Sequence, residues 1–355
     1  MAPRPHTKRL VDSGFRPPPG GAVREASYEM RMCSQVAPGS LFDDPGEGSC
    51  PGYQACRTHE NKKDARAALE DAFHRHSHVL PEAPDHFVRQ FRQDFDGRAW
   101  ELFLVAALAE AGLDLERPPA KGPDVCVRLP SGRRCWIEAV AATPGTGRDC
   151  LPPSLPGRGP GYTEEALILR YTSAINDKLA KISRYETEGI IAPGDTVLVA
   201  LSPGTIPYAD LLDVEVPVPV KAVLPIGRAF LRVVPYSSEP PTGGIERRED
   251  VFKKNQSKVG TTLFLSERSA PLSGLLFAGG DIYLWTVGGI RPDSARRALS
   301  LLRNPSARPD RLLPNGTLPL PEEQFWVDEA GVLRHRGARV WGGALGVQGE
   351  GGGGR

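Results

Sequence analysis

A β-hairpin closed by Pro130-Ser131-Gly132 is the feature that most constrains how this chain folds. It joins two predicted strands, 124–129 and 134–141, and its glycine stands where a three-residue hairpin loop takes a left-handed backbone. With Leu129 opposite Arg133, counting outward places Asp124 directly opposite Glu138. Directly opposed residues share one sheet face, with Cβ atoms about 4.5–5.5 Å apart. The register therefore predicts two carboxylates side by side.

Two opposed carboxylates repel one another and need compensation. A divalent cation is the simplest source of it, because hard cations such as Mg²⁺ take carboxylate oxygens. A slip of one residue would send the two acids to opposite faces of the sheet. In the alternative interpretation, Pro123-Asp124 is an ordinary turn and Glu138 is an acid on an edge strand.

The helix predicted before the hairpin, 97–111, carries a third acid. Asp96 is its predicted N-cap, and Gly112 ends it. Apolar residues cover nearly all its sides, which predicts burial, and Glu101 is the only ionisable residue from 99 to 109. A buried carboxylate either binds a proton or finds a cation or donor. A salt bridge to an arginine is the alternative to a functional role.

The remaining pattern predicts a mixed α/β fold. Further helices are expected at 63–75, 85–93, 163–188 and 294–302, with β segments at 196–201, within 214–234, and at 263–265 and 275–285. The predicted organisation is a disordered Pro/Gly-rich region (1–60), a helical lead-in (61–93), a core (94–205), an α+β extension packed on or beside it (206–341), and a Gly-rich tail (342–355).

The charge balance and the lack of a long apolar run limit the partners that this protein can have. With 44 Lys plus Arg against 43 Asp plus Glu, nucleic-acid binding would need a local basic patch. The two candidate basic sets are Arg247, Arg248, Lys253, Lys254 and Lys258, and Arg296, Arg297, Arg303, Arg308 and Arg311; solvated surface is the alternative for both. No apolar run approaches the ~18 residues of a membrane span, so we expect no membrane partner.

Six cysteines without a CxxC pair favour a reducing, cytoplasmic protein in which they fill the core. Cys50, Cys56 and His59, with His74, His76 and His78, suggest a zinc-dependent binding protein, but their spacing fits no common zinc site. The chain has no phosphate-binding GxxxxGK[ST] loop, no HExxH and no GxSxG.

Residues 94–205 resemble the PD-(D/E)XK, or restriction-endonuclease-like, superfamily. The residues that carry the resemblance are Glu101, Pro123-Asp124, Ile137-Glu138-Ala139, Tyr171-Thr172-Ser173-Ala174-Ile175 and Thr196-Val197-Leu198-Val199-Ala200-Leu201. Leu301-Leu302-Arg303-Asn304-Pro305 is also similar to a group of bacterial proteins, which implies no activity. The resemblance implies a restriction-endonuclease-like core, a mixed sheet flanked by helices.

It also implies a metal-dependent nuclease that hydrolyses phosphodiester bonds in nucleic acid, DNA more than RNA. Glu101, Asp124 and Glu138 would hold Mg²⁺ or Mn²⁺. The lysine expected two residues after the second acid is replaced here by Val140.

Some members of the superfamily supply this lysine from the helix behind the sheet. Lys178, at the border of the apolar stripe of helix 163–188, is the first candidate and Lys181 the second. Arg170, on the same side of that helix as Lys181, is a candidate phosphate contact. The alternative is a catalytically inactive module that keeps the fold to bind nucleic acid or a partner protein.

Overall fold

The computed structural model describes residues 39–43, 49–153, 159–204, 206–213, 216–232, 235–236, 242–278, 298–327 and 333–336. All of them belong to one compact unit, Pro38–Arg355. Most of the predicted disordered region and all of the Gly-rich tail lie outside the described residues.

The described α-helices are concentrated before the hairpin and directly after it. They are α1 Pro51–Thr58, α2 Lys63–His76, α3 Pro84–Gln93, α4 Phe95–Glu110, α5 Glu164–Thr187 and the short α6 Val218–Lys221. None of them combines the length and the apolarity that crossing a membrane would require.

The described strands form one large sheet and two small hairpins. They are β1 Asp114–Glu116, β2 Val125–Arg128, β3 Arg134–Ala141, β4 Thr196–Ser202, β5 Ile226–Arg232, β6 Thr242–Arg247, β7 Asp250–Phe252, β8 Lys258–Gly260, β9 Gly274–Ala278, β10 Leu299–Arg303, β11 Glu322–Val327 and β12 Leu333–Arg336. The large sheet has the order β1-β2-β3-β4-β9-β10-β11-β12, while β5 pairs with β6 and β7 with β8.

The large sheet is mixed, as predicted. β3, β4 and β9 are parallel, whereas β1–β2, β2–β3, β9–β10 and β11–β12 are antiparallel pairs. Alternate residues of β3 point to opposite faces of the sheet. A helix covers each of these faces. Cys135, Ile137 and Ala139 pack with α4, and Trp136 packs with α5.

The predicted hairpin register is confirmed. Val125 pairs with Ile137 and Arg128 with Arg134, and continuing that register by one position places Asp124 opposite Glu138. Gly132, at the loop, has the left-handed φ of 82° that the loop requires.

The prediction that α4 is buried on all sides is also confirmed, since every residue from 99 to 108 is buried. Its N-cap was predicted wrongly: the side chain of Asp94, and not of Asp96, accepts the Gly97 N–H. Gly112 does end the helix in a left-handed conformation.

Elsewhere the structure corrects several predictions. Order begins earlier than 61, since α1 covers Pro51–Thr58. Leu263–Leu265 is a 3₁₀ helix and Leu299–Arg303 a strand, the reverse of what their patterns predict. The segment 214–234 includes the short α6 besides β5.

The predicted α+β extension continues the core sheet. β9 pairs with β4 in parallel, and β10 and β11 follow outward. The central strands β4 and β9 are therefore buried along their whole length.

The carboxylate of Asp195, just before β4, ties that strand to β3. It accepts hydrogen bonds from Trp136 Nε1 at 2.8 Å, Ala192 N at 3.0 Å and Arg134 N at 3.4 Å. We expect Asp195→Ala to lower the free energy of unfolding by about 1–3 kcal/mol, because buried donors lose their acceptor. Urea unfolding measures this, with the exposed Asp114→Ala as control, for which we expect a change within about 0.5 kcal/mol. Equal losses in both variants would contradict this role for Asp195.

Candidate functional site

Asp124 lies immediately before β2 and is held against β3. Its Oδ2 accepts the Ala139 N–H at 2.7 Å, and its side chain is 18% exposed. This hydrogen bond to the residue after Glu138 fixes the Asp124 carboxylate beside that of Glu138. The two strand acids therefore lie together, as the register predicts.

Glu138 is buried in the middle of the sheet, with 1% of its surface exposed. Its Oε1 accepts hydrogen bonds from Lys178 Nζ at 2.8 Å and Lys181 Nζ at 3.1 Å. Its other oxygen, Oε2, is buried and has no hydrogen-bond partner among the described residues. One oxygen is thus neutralised by lysines, and the other is a buried acceptor.

Both candidate lysines reach the acids because α5 packs along the face of β3 that carries Glu138. Ile168, Ile175 and Ile182 are fully buried on the sheet side of α5. Lys178 also lies 4.0 Å from Asp124 Oδ2, and its side chain is 13% exposed against 47% for Lys181. Lys178 therefore contacts both acids, whereas Lys181 contacts Glu138 from the rim of the site.

The electrostatics follow from burial and from the proximity of the two acids. Burial, and next the Glu138 carboxylate, raise the pKa of Asp124 to about 6, against the opposing effects of Lys178 and of the Ala139 N–H. Asp124 thus titrates close to neutral pH, where a nearby cation would decide whether it is ionised.

Glu101 is engaged in an ion pair. Its Oε2 accepts from Arg98 Nη1 at 2.7 Å, and the same nitrogen lies 3.1 Å from Glu82 Oε1. Burial, and next the Asp124 carboxylate, raise the pKa of Glu101 well above its usual range, although Arg98 opposes this. The salt bridge left open by the sequence pattern is therefore present.

The three predicted metal ligands do not form one cluster. Among the described residues, no three or more His, Cys, Asp or Glu side chains are arranged to hold a metal ion. This also applies to the described Cys and His residues weighed for zinc. Cys56, Cys126 and Cys135 are buried free thiols, as expected of core fillers.

Arg170 lies nearer the N-terminus of α5 than the two lysines do. Val140 packs on the α5 side of β3, on the face that carries Glu138. It fills apolar space where the superfamily pattern has its lysine.

The basic sets proposed from the sequence are largely paired with acids. Arg248 contacts Glu164, Arg303 contacts Glu322, and Arg308 and Arg311 share Glu186. Arg247 and Lys258 pair with Glu249 and Asp250, while Arg296 and Arg297 lie outside the described residues.

Two residues at the site were missed by sequence reasoning. Arg98 stands three residues before Glu101, a spacing that places both on one helix face and could have signalled the pair. Tyr185 is buried one turn beyond Lys181; burial, and next Glu138 and Asp124, raise its pKa to about 12. No sequence pattern marks Tyr185, because its place depends on how α5 lies on the sheet.

In comparisons with known proteins, no family model, curated protein or solved structure matches the chain. The functional argument therefore depends on the arrangement of these side chains.

The pKa of Asp124 should respond to its two neighbours in opposite directions. Glu138→Gln removes a repelling charge and should lower it, whereas Lys178→Met removes an attracting charge and should raise it. Carboxyl ¹³C NMR titration of Asp124 in the three proteins measures these shifts. Identical titration curves would mean that the acids and Lys178 do not share one site.

Asp124 should also destabilise the folded protein as pH rises. Its pKa of about 6 when folded lies above the value of about 3.9 expected when unfolded. The folded state therefore binds more protons between these values, so the penalty is absent below about pH 3.9 and complete above about pH 6. Asp124→Asn cannot ionise, and we expect its stability relative to wild type to rise by about 1–3 kcal/mol from pH 4 to pH 7. Urea unfolding across that range tests this; a constant difference would contradict it.

Proposed function

We propose that the protein is a metal-dependent nuclease that hydrolyses phosphodiester bonds in nucleic acid, with DNA favoured over RNA. The observation that carries the proposal is the position of Lys178, 2.8 Å from Glu138 and 4.0 Å from Asp124. The superfamily resemblance implies an amine placed at a pair of strand carboxylates. Here Val140 occupies the position of the strand lysine, and the amine comes from Lys178 on α5.

The order of elements supports the same proposal. A buried helix (α4), an antiparallel hairpin (β2–β3), a helix (α5) and a parallel strand (β4) follow one another along the chain. This is the order implied for a restriction-endonuclease-like core. We propose that residues 94–205 form such a core and that the later strands extend its sheet.

Two of the three predicted ligands fit a divalent cation. Glu138 Oε2 is a buried acceptor without a partner among the described residues. Burial, and next repulsion from Glu138, raise the pKa of Asp124, and a cation would relieve the repulsion. Glu101 does not fit in the same way, because Arg98 already takes its Oε2. When bound, Mg²⁺ or Mn²⁺ would stabilise charge on phosphate oxygens and lower the pKa of a bound water.

The chain itself would contribute charge and orientation. In hydrolysis, a water oxygen bonds to phosphorus, the bond from phosphorus to the leaving oxygen breaks, and a proton passes from the water to solvent as the leaving oxygen gains one. Negative charge accumulates on the phosphate oxygens in the transition state. Lys178 has three N–H donors, of which Glu138 takes one, and another is available to a phosphate oxygen.

A second candidate function is a catalytically inactive module that binds nucleic acid or a partner protein. The self-contained pairing of the site favours it. Glu138 is held by two lysines and Glu101 by Arg98, so that side chains of the protein already balance both acids. The two functions differ in Mg²⁺ binding and in cleavage.

The nuclease proposal is tested by incubating the full chain with single- and double-stranded DNA and RNA in Mg²⁺ or Mn²⁺. We expect Lys178→Met to lower kcat by about 100-fold or more, because it removes a charge placed at the reacting phosphate. Lys181→Met should lower it less, since Lys181 is about half exposed. Lys121→Met, an exposed lysine outside the site, is the matched control.

The two strand acids are best tested with two separate isosteric variants, Glu138→Gln and Asp124→Asn. Glu138→Ala would strand the buried Lys178 at a cost of about 3–5 kcal/mol and could unfold the protein. We expect both isosteric variants to abolish cleavage and to weaken Mg²⁺ binding in a calorimetric titration. Wild-type Mg²⁺ affinity should fall below about pH 6, where a proton competes for Asp124.

A wild-type protein that binds no Mg²⁺ and cuts none of the four substrates is not a nuclease. If it still retains nucleic acid or a partner, the inactive module is the better description.

A further inference from the structure

Arg170 lies on the same side of α5 as Lys181, the lysine at the rim of the acid site. It precedes Lys181 by eleven residues, close to three full helical turns, so both side chains leave the helix in nearly the same direction. At 1.5 Å per residue the two positions are about 16 Å apart along the axis. A ligand extended along this side of α5 would pass both residues.

Arg170 is half-buried and has no acidic partner among the described residues, which distinguishes it from several cations of similar or deeper burial. Arg98, Lys221, Arg248 and Arg311 each pair with a glutamate. No ion pair or hydrogen bond of the Arg170 side chain occurs among the described residues, and its Nε is buried without a partner. The acids nearest to it on α5, at 165 and 177, are not at the spacing of three or four that allows pairing.

The guanidinium of Arg170 lies against the loop that follows β3. Gly145 adopts a left-handed φ of 79°, and a Cβ built on it would collide with Nη1 of Arg170. The guanidinium therefore lies directly beside the backbone of Gly145, and a side chain at position 145 would displace it.

This loop also places Arg170 at the end of β3 nearest the acid site. β3 ends at Ala141, four residues before Gly145, and Asp124 stands at the start of the antiparallel partner strand, at that same end. Arg170 is thus beside the site, displaced toward the N-terminus of α5.

We propose that Arg170 binds a second phosphate of the nucleic-acid strand, a few nucleotides from the phosphate that reacts near Lys178. The inference rests on the proposed function, because it takes the substrate to be a polyanion running along α5. Arginine suits this role, since its guanidinium remains charged and donates charge-assisted hydrogen bonds to phosphate oxygens. The contact would position the strand without recognising its sequence.

Binding without cleavage tests this contact separately from catalysis. Fluorescence anisotropy of a labelled single- or double-stranded DNA in EDTA, over a range of salt, gives Kd and its salt dependence. We expect Arg170→Gln to weaken binding by about 10-fold and to reduce the slope of log K against log salt by about 0.7 for single strands or 0.9 for duplex, which corresponds to one phosphate. Arg170→Lys should lie between Gln and wild type.

A matched control is Arg89→Gln, at an exposed arginine on α3, which should change neither Kd nor slope. Circular dichroism melting of every variant verifies folding. DNA with a neutral methylphosphonate at successive positions identifies the contact: one position should weaken wild-type binding and leave Arg170→Gln binding unchanged.

The outcomes separate the two proposals. If wild type cleaves DNA while Arg170→Gln keeps its Kd and salt slope, the phosphate contact is overturned and the nuclease stands. If binding depends on Arg170 but nothing is cleaved, the contact stands and the catalytic proposal fails. A wild-type protein that binds no nucleic acid overturns the contact.

Discussion

The buried carboxylate of Glu138 is the constraint on which the geometry of the site depends. An ionised acid with 1% of its surface exposed, in the middle of a sheet, is costly unless cations reach it. Lys178 and Lys181 do so from α5, and both bond to the same oxygen. The pairing adds to the buried packing of Ile168, Ile175 and Ile182, which places α5 on β3. Tyr185 and Arg170 take their places relative to the acids as a consequence.

The charges around the site divide into two groups across the sheet. On the α4 side, Arg98 is shared by Glu82 and Glu101; on the α5 side, the lysines serve Glu138. Asp124 lies close enough to both groups to raise the pKa of Glu101 and to have its own pKa raised by Glu138. A metal at the strand acids would compete with lysine for Glu138 while relieving Asp124. Mg²⁺ commonly binds through one or two carboxylates and keeps several waters, so two strand acids suit it better than they suit zinc.

The sequence was informative where local rules decide the structure. The hairpin loop and its register were sufficient to pair Asp124 with Glu138, because register is a local property. It failed where partners are distant. Leu299–Arg303 forms a strand because β9 and β11 flank it, although its short apolar pattern also suits a helix. The contact of Arg98 with Glu82 could likewise not be predicted, since Glu82 comes from before α3 and only the folded chain brings it to Arg98.

Val140 shows why a motif defined by spacing is an incomplete guide to such a site. A lysine two residues after Glu138 would extend from the same strand face, since side chains alternate with a period of two. In this structure that face is covered by α5, and Val140 contributes apolar contact to the helix. The amine instead enters from the helix and reaches the acids across the space between the two layers. What the chemistry requires is a positive charge at the carboxylates, and either layer can supply it. Under the proposed function, a valine at position 140 is therefore compatible with catalysis, because Lys178 of α5 brings an amine to the two carboxylates.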